Sequence, residues 1–135
     1  MASVTDVFSA AMAFMDELSD DGDAQTNDTL EYKNRTPSII NMMLSEYNML
    51  MGITANWLPV EDLDSMLTVD TNYALGVMPY GLAANLLVDE NPTAANFYQQ
   101  RYEDMRNRYM SNHAADSAEI ENLYGGIEYG EFSRW

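Results

Sequence analysis

Cysteine is absent from this sequence of 135 residues, and histidine occurs once. Without cysteine there is no disulfide framework and no thiolate zinc site, so nothing in the composition points to secretion. The one histidine, His113, lies in a small polar segment, which gives little support to a Ser-His-Asp or Cys-His arrangement. Gly125, Gly126 and Gly130 lack the lysine and the context of a phosphate loop. We therefore expect no enzymatic activity and no cofactor.

Long apolar runs and basic residues are also scarce. No run approaches the roughly 20 residues of a membrane span, and Asp6 with the lack of a basic start argues against a signal peptide. The sequence therefore predicts a soluble, intracellular protein. Six basic side chains stand against 22 acidic ones, a formal charge of -16. Such a charge repels nucleic acid and anionic membranes, so neither is an expected partner.

The apolar residues that are present, mainly Leu, Met, Tyr and Ala, favour helices over sheet. Their clearest pattern is a helical hairpin over residues 73–110. The first helix has an apolar face with helical spacing, formed by Leu75, Met78, Leu82, Ala83, Leu86 and Leu87, and the second has a matching face, formed by Ala95, Tyr98, Tyr102, Met105 and Tyr109. Asn91 is a good N-cap and Pro92 a good first helical residue, so the two helices are expected to be antiparallel neighbours. Leu82, Leu86, Tyr98 and Tyr102 should be largely buried.

The remaining chain adds further helices. Ser3 or Thr5 can cap the first, with Ser3 and Asp6 approximating a capping box. A second helix begins between Thr26 and Thr29 and runs to Gly52, with a kink or short break at Pro37. Residues 53–70 are read as a crossing loop with one turn near 61–66, and their apolar residues should cover the end of the bundle; these are Trp57, Leu58, Val60, Leu63, Met66 and Leu67. Asp70 or Thr71 caps the hairpin's first helix, and Gly76, Pro79 and Gly81 indicate a kink or a close helix contact within it.

Together these patterns predict an all-α fold. It is a helical bundle of about four helices, near residues 4–18, 28–51, 71–88 and 92–110, with a central antiparallel helical hairpin and an extended C-terminal arm.

The acidic loop after the first helix resembles part of a calcium loop. Its matching residues are Glu17, Ser19, Asp21, Gly22 and Asp28. A calcium loop of the EF-hand type begins with Asp and ends with Glu, and this loop does neither. The sequence therefore favours a solvated loop and no metal site.

The C-terminal residues 120–135 combine large apolar side chains with glycines and have no helical period. Two interpretations are open: the aromatics fold back on the bundle, or the segment is a docking arm that needs a partner's surface. For the docking arm, the candidate partner-binding residues are Ile127, Tyr129, Phe132, Arg134 and Trp135.

Several stretches are similar to a known family. They are residues 7–17, 29–43, 78–92 and 97–102, with the best part between Pro79 and Tyr102. In these stretches the chain resembles the small head-tail connector (adaptor or head-completion) proteins of tailed phages and prophages. The resemblance covers roughly residues 4–110, which would form the helical connector domain, with residues 111–135 as its C-terminal docking arm.

The resemblance implies a structural virion protein of the phage neck, assembled in the host cytoplasm. Such proteins form a dodecameric ring beneath the portal protein, continue the DNA channel, and present a surface to the next neck or tail-completion protein. DNA passes through without specific binding, which suits an acidic wall. An alternative from another class is a small acidic DNA-mimic inhibitor of a DNA-binding protein. That alternative explains the charge equally well but not the aromatic arm.

Overall fold

The computed structural model describes the backbone of residues 1–124 and the side chains of residues 1–114. Five α-helices follow one another: α1 (Val4–Phe14), α2 (Leu30–Leu50), α3 (Thr71–Gly76), α4 (Met78–Leu87) and α5 (Pro92–Tyr124). The described residues form no strand, only an isolated bridge between Ser3 and Met66. The predicted all-α class is confirmed, since α3 and α4 are the two halves of the helix expected over 71–88. Within residues 1–124, none of these helices has both the length and the apolarity to cross a lipid bilayer.

Helices α4 and α5 form the predicted antiparallel hairpin, and they share the most extensive helix-helix contact. Leu82, Leu86 and Tyr102 are buried as predicted, whereas Tyr98 is only half-buried. The connection between the helices is built as expected, because the Asn91 side chain accepts a hydrogen bond from the Ala94 amide at 3.2 Å. The hairpin is thus specified by local sequence signals.

The bundle core lies where α1, α2 and α3 pack around this hairpin. Its largest fully buried apolar side chains include Val4, Val7, Phe8, Met12, Ile40, Leu67, Tyr73, Met78, Leu82 and Leu86. Gly81 of α4 marks the closest approach, since an added Cβ there would lie 2.6 Å from Met43 Sδ and 2.8 Å from the Tyr102 ring. The expected close helix contact is therefore present, and the expected interruption falls at Val77, between α3 and α4.

Helix α1 begins with the predicted capping box, in which Ser3 and Asp6 each satisfy the other's backbone amide. It ends at Phe14 rather than near residue 18, because Asp16 adopts a left-handed conformation with φ 59°. Aspartate tolerates this conformation better than most residues. The prediction of a helix to residue 18 is therefore wrong, and Leu18, expected on its apolar face, is largely exposed.

Helix α2 runs unbroken through Pro37, so the expected break is not found there. The loop that follows contains no helix, but a single hydrogen-bonded turn lies where one was predicted near 61–66, since the Ser65 amide donates to the Asp62 carbonyl at 3.3 Å. Its second half is buried as predicted, with Val60, Leu63 and Leu67 in the core. In its first half Trp57 and Leu58 remain exposed, as does Met66 near its end, which contradicts their predicted role in covering the bundle.

Helix α5 is much longer than expected. It continues past Met110 to Tyr124, so the predicted end near residue 110 is wrong. Residues 111–124 contain neither glycine nor proline, and nothing in them stops a helix once it has begun. Ser111 to Ala114 are exposed, so α5 leaves the bundle at this point. The part of the docking arm at residues 125–135 lies outside the described residues.

Candidate interaction surfaces

The five residues predicted to bind a partner lie in the part of the chain that the structure does not describe. They are Ile127, Tyr129, Phe132, Arg134 and Trp135. The candidate interaction surfaces described below are therefore those of the folded bundle, within residues 1–114.

One surface feature is an apolar groove of about 660 Å³ between α2 and the loop that follows it. We call this feature the loop groove. Leu44 and Asn48 of α2 form one side, and Ile53, Trp57 and Leu58 belong to the other. Leu58 is 91% exposed. An exposed apolar surface of this kind is typical of a binding site for another polypeptide.

The inner edge of the loop groove is fixed to the bundle by hydrogen bonds. The Asn41 side chain donates to the Val60 carbonyl at 3.1 Å and accepts from the Val60 amide at 2.8 Å. By contrast, no backbone hydrogen bond within the described residues involves residues 54–59. The groove thus has a fixed inner edge and an outer wall whose backbone groups are open to a partner.

A second exposed surface is an aromatic cluster where α1, α4 and α5 meet. The Phe14 ring stacks on Tyr80 with centroids 4.7 Å apart, and the Tyr98 hydroxyl donates to the Phe14 carbonyl at 2.7 Å. Phe97 packs edge-on against Tyr98 and is 58% exposed, while the Arg101 guanidinium lies 5.2 Å from the Tyr80 ring centroid. The hydrogen bond from Tyr98 satisfies the carbonyl of Phe14, the last residue of α1, so this cluster has a structural role besides any role in binding.

Tyrosine-carboxylate contacts hold α5 against the rest of the bundle. Tyr102 donates its hydroxyl to Glu46 of α2, and Arg106 forms an ion pair with the same carboxylate at 3.1 Å. Burial, reinforced by the Glu46 carboxylate, raises the pKa of Tyr102 above its ordinary value of 10.0. Tyr109 donates to Asp70 at 3.1 Å, and its pKa is also raised, mainly by burial. These bonds keep the tyrosines neutral and fix the position from which α5 leaves the bundle.

The charges within residues 1–114 are distributed unevenly. Most acidic side chains are exposed, including those of the loop at 16–28 and of the segment 61–64. The arginines are engaged with the protein itself: Arg35 donates to the Asn85 carbonyl at 3.2 Å, and Arg108 pairs with Asp104 at 3.3 Å. Arg101 and Arg106 have the contacts described above. The described surface therefore presents carboxylates far more than cations.

No catalytic or metal-binding arrangement is found within the described residues. His113 is exposed on α5, and no group of three or more His, Asp or Glu side chains there is placed to hold a metal ion. In the loop with partial likeness to a calcium loop, the Ser19 hydroxyl donates to Asp21 at 2.6 Å and lowers the pKa of that carboxyl. Asp21 is thus engaged with a neighbouring side chain in the described loop.

The loop groove is not predicted by the sequence pattern. Its signal is the apolar Trp57-Leu58 pair in a loop between helices, a pattern that instead predicts a cover for the end of the bundle. Comparison of the chain with known proteins gives no match to a protein-family model, to a curated protein or to a solved structure.

Proposed function

We propose that the chain is a structural protein of the phage neck. Copies of it would form a ring that joins the portal of the DNA-filled head to the tail and continues the DNA channel. The resemblance of residues 4–110 to head-tail connectors names this class, and the all-α bundle is compatible with it. The portal protein, the next neck or tail-completion protein and further copies of the chain would be its partners.

The observation that carries the proposal is the surface of residues 1–114, which exposes many carboxylates and few cations. Duplex DNA carries a negative charge about every 1.7 Å along its axis, and proteins hold it through lysine and arginine contacts to phosphate. Exposed carboxylates offer no such contacts, and in the described part of the chain Arg35, Arg106 and Arg108 are paired with protein groups. A wall of this kind lets DNA slide without sticking.

A DNA-mimic inhibitor would have the same charge, so a second observation is needed to separate the two functions. The loop groove and the aromatic cluster expose large apolar side chains, among them Leu58 and Phe97. An acidic surface that imitates DNA does not need these side chains, whereas a ring subunit buries such surfaces against its neighbours.

Native mass spectrometry of the purified chain, alone and with the portal ring encoded in the same genome, tests the proposal. We expect a complex whose mass adds a ring of subunits to the portal, twelve if the resemblance holds. No association with the portal would contradict the proposal, as would a genome without a portal gene. Tight binding to a nuclease without self-association would favour the DNA mimic.

A genetic test gives an independent result. A phage with an early stop codon in this gene should produce DNA-filled heads and free tails that fail to join, visible by electron microscopy. Supplying the full-length chain from a plasmid should restore complete particles. Normal virions without the chain would refute the proposed role.

A further inference from the structure

We propose that the loop groove is the docking site for residues 125–135 of a second copy of the chain. This inference rests on the proposed function in one respect, the assembly of copies with one another. It adds the contact through which one subunit holds the next.

The chemistry of the groove matches that segment. The groove offers Leu44, Ile53, Trp57 and Leu58 as apolar surface, and residues 125–135 contain Ile127, Tyr129, Phe132 and Trp135. Aromatic side chains that enter a preformed apolar pocket are the usual anchors of protein interfaces. The groove is also large enough for a polypeptide segment, since its 660 Å³ lies within the range of ordinary ligand sites.

The backbone also favours an extended segment as the occupant. Residues 54–59 form no backbone hydrogen bonds within the described residues, so the amides of 54–58 and the carbonyls of 54–59 can pair with a segment laid beside them.

The geometry of α5 favours a second copy over the same chain. The helix runs 14 residues past Met110, which carries its end about 21 Å further along at 1.5 Å per residue. The eleven residues after Tyr124 span at most about 40 Å when extended. More than half of that length would be used merely to return to the bundle. A neighbouring subunit placed beyond the end of α5 receives the whole segment instead.

Chemical cross-linking tests the contact directly, because the natural chain contains no cysteine. Full-length Leu58→Cys and Phe132→Cys chains are mixed in equal amounts under assembly conditions and treated with a short bismaleimide. We expect a dimer that contains one chain of each kind. Met42→Cys is the matched control for Leu58→Cys, because Met42 is 62% exposed on α2 and does not line the groove. It should give little product with Phe132→Cys.

Tryptophan fluorescence gives a second measurement. In a Trp57→Phe chain Trp135 is the only tryptophan, and its emission should shift to shorter wavelength as the protein concentration rises. Adding Leu58→Asp should weaken this self-association about tenfold or more, while adding Met42→Asp should not. Both positions are exposed, so the melting temperatures of the two variants should be similar to one another.

Three outcomes would overturn the inference. The first is equal cross-linking at Met42 and Leu58. The second is a cross-link only within one chain when Leu58→Cys and Phe132→Cys are placed in the same chain. The third is the absence of a concentration-dependent shift in the emission of Trp135. The inference and the proposed function can fail separately. Rings that bind the portal without the cross-link would refute the groove contact alone, and cross-linked copies that ignore the portal would refute the neck function alone.

Discussion

Replacing Gly81 by alanine tests how closely α4 and α5 approach each other. An alanine Cβ would lie 2.6 Å from Met43 Sδ and 2.8 and 2.9 Å from two ring carbons of Tyr102. Carbon atoms in good contact are about 3.5–4.0 Å apart, so roughly 1 Å of space has to be made. Met43 can rotate its side chain, but the Tyr102 ring is buried and bonded to Glu46. The strain therefore falls on the packing of α5 against α4.

The expected magnitude is the difference of two effects. Overpacking a core costs about 1–3 kcal/mol, and two crowded neighbours at once place Gly81→Ala in the upper part of that range. Alanine is favoured over glycine inside a helix by about 1 kcal/mol. The net loss in the free energy of unfolding is therefore about 1–2 kcal/mol, which corresponds to a melting temperature lower by about 3–8 °C for a domain of this size.

Urea unfolding followed by circular dichroism measures this loss, and Gly76→Ala is the matched control. Gly76 ends α3, and an added Cβ there meets no atom within 4 Å. It should raise stability by about 0.4–1 kcal/mol, because alanine restricts the unfolded chain. In the double variant Gly81→Ala/Met43→Ala, the smaller side chain at 43 leaves space for the new Cβ. Its loss of stability should therefore be smaller than the sum of the two single losses.

The result that would refute this reasoning is a Gly81→Ala protein as stable as the natural chain, or more stable. Helix propensity alone would then decide the effect, as it should at Gly76. The contact between α4 and α5 would have to be looser than the distances at Gly81 require.

Three other predictions follow from the same contacts and charges. Leu86→Ala should lower the free energy of unfolding by about 2–5 kcal/mol in a urea titration, while Leu75→Ala, at an exposed position, should change it little; equal effects would contradict the packing. The raised pKa values of Tyr73 and Tyr102 mean that the unfolded chain loses its phenolic protons first, so stability should be full below pH 10 and fall above it. Tyr102→Phe should reduce the slope with which stability falls above pH 10, and an unchanged slope would count against this role of Tyr102. Electrophoretic mobility of duplex DNA should be unaffected by the chain at physiological salt, and a retarded band would argue against the acidic wall.

The parts of the fold that the sequence predicted correctly are those fixed by neighbouring residues. Ser3 with Asp6 and Asn91 with Pro92 are signals that act within one helical turn, and both helix starts lie where these residues put them. The hairpin is also predicted correctly, because a short connection between two helices with apolar faces makes them pack against each other.

The wrong predictions of burial concern apolar residues that no other segment of the chain covers. Leu18 continued the helical period of α1, yet the chain turns at Asp16 before reaching it. Trp57 and Leu58 are predicted to cover the end of the bundle, although α2 and the loop leave a groove beside them. Periodicity indicates that a side chain is apolar, whereas burial depends on which distant segment arrives to cover it. The predicted end of α5 is wrong for a different reason, because small polar residues do not by themselves stop a helix.

The start of α1 is completed by residues made much later in the chain. The Val4 amide donates to the Ser65 carbonyl at 3.0 Å and the Thr5 amide to the Leu63 carbonyl at 2.8 Å, so loop carbonyls satisfy two otherwise unpaired donors of the first turn. During synthesis α1 emerges first but lacks these acceptors until about 60 more residues have followed. The first turn of α1 is therefore expected to stay incompletely hydrogen-bonded until the loop at 63–65 has been made, which still precedes α4 and α5.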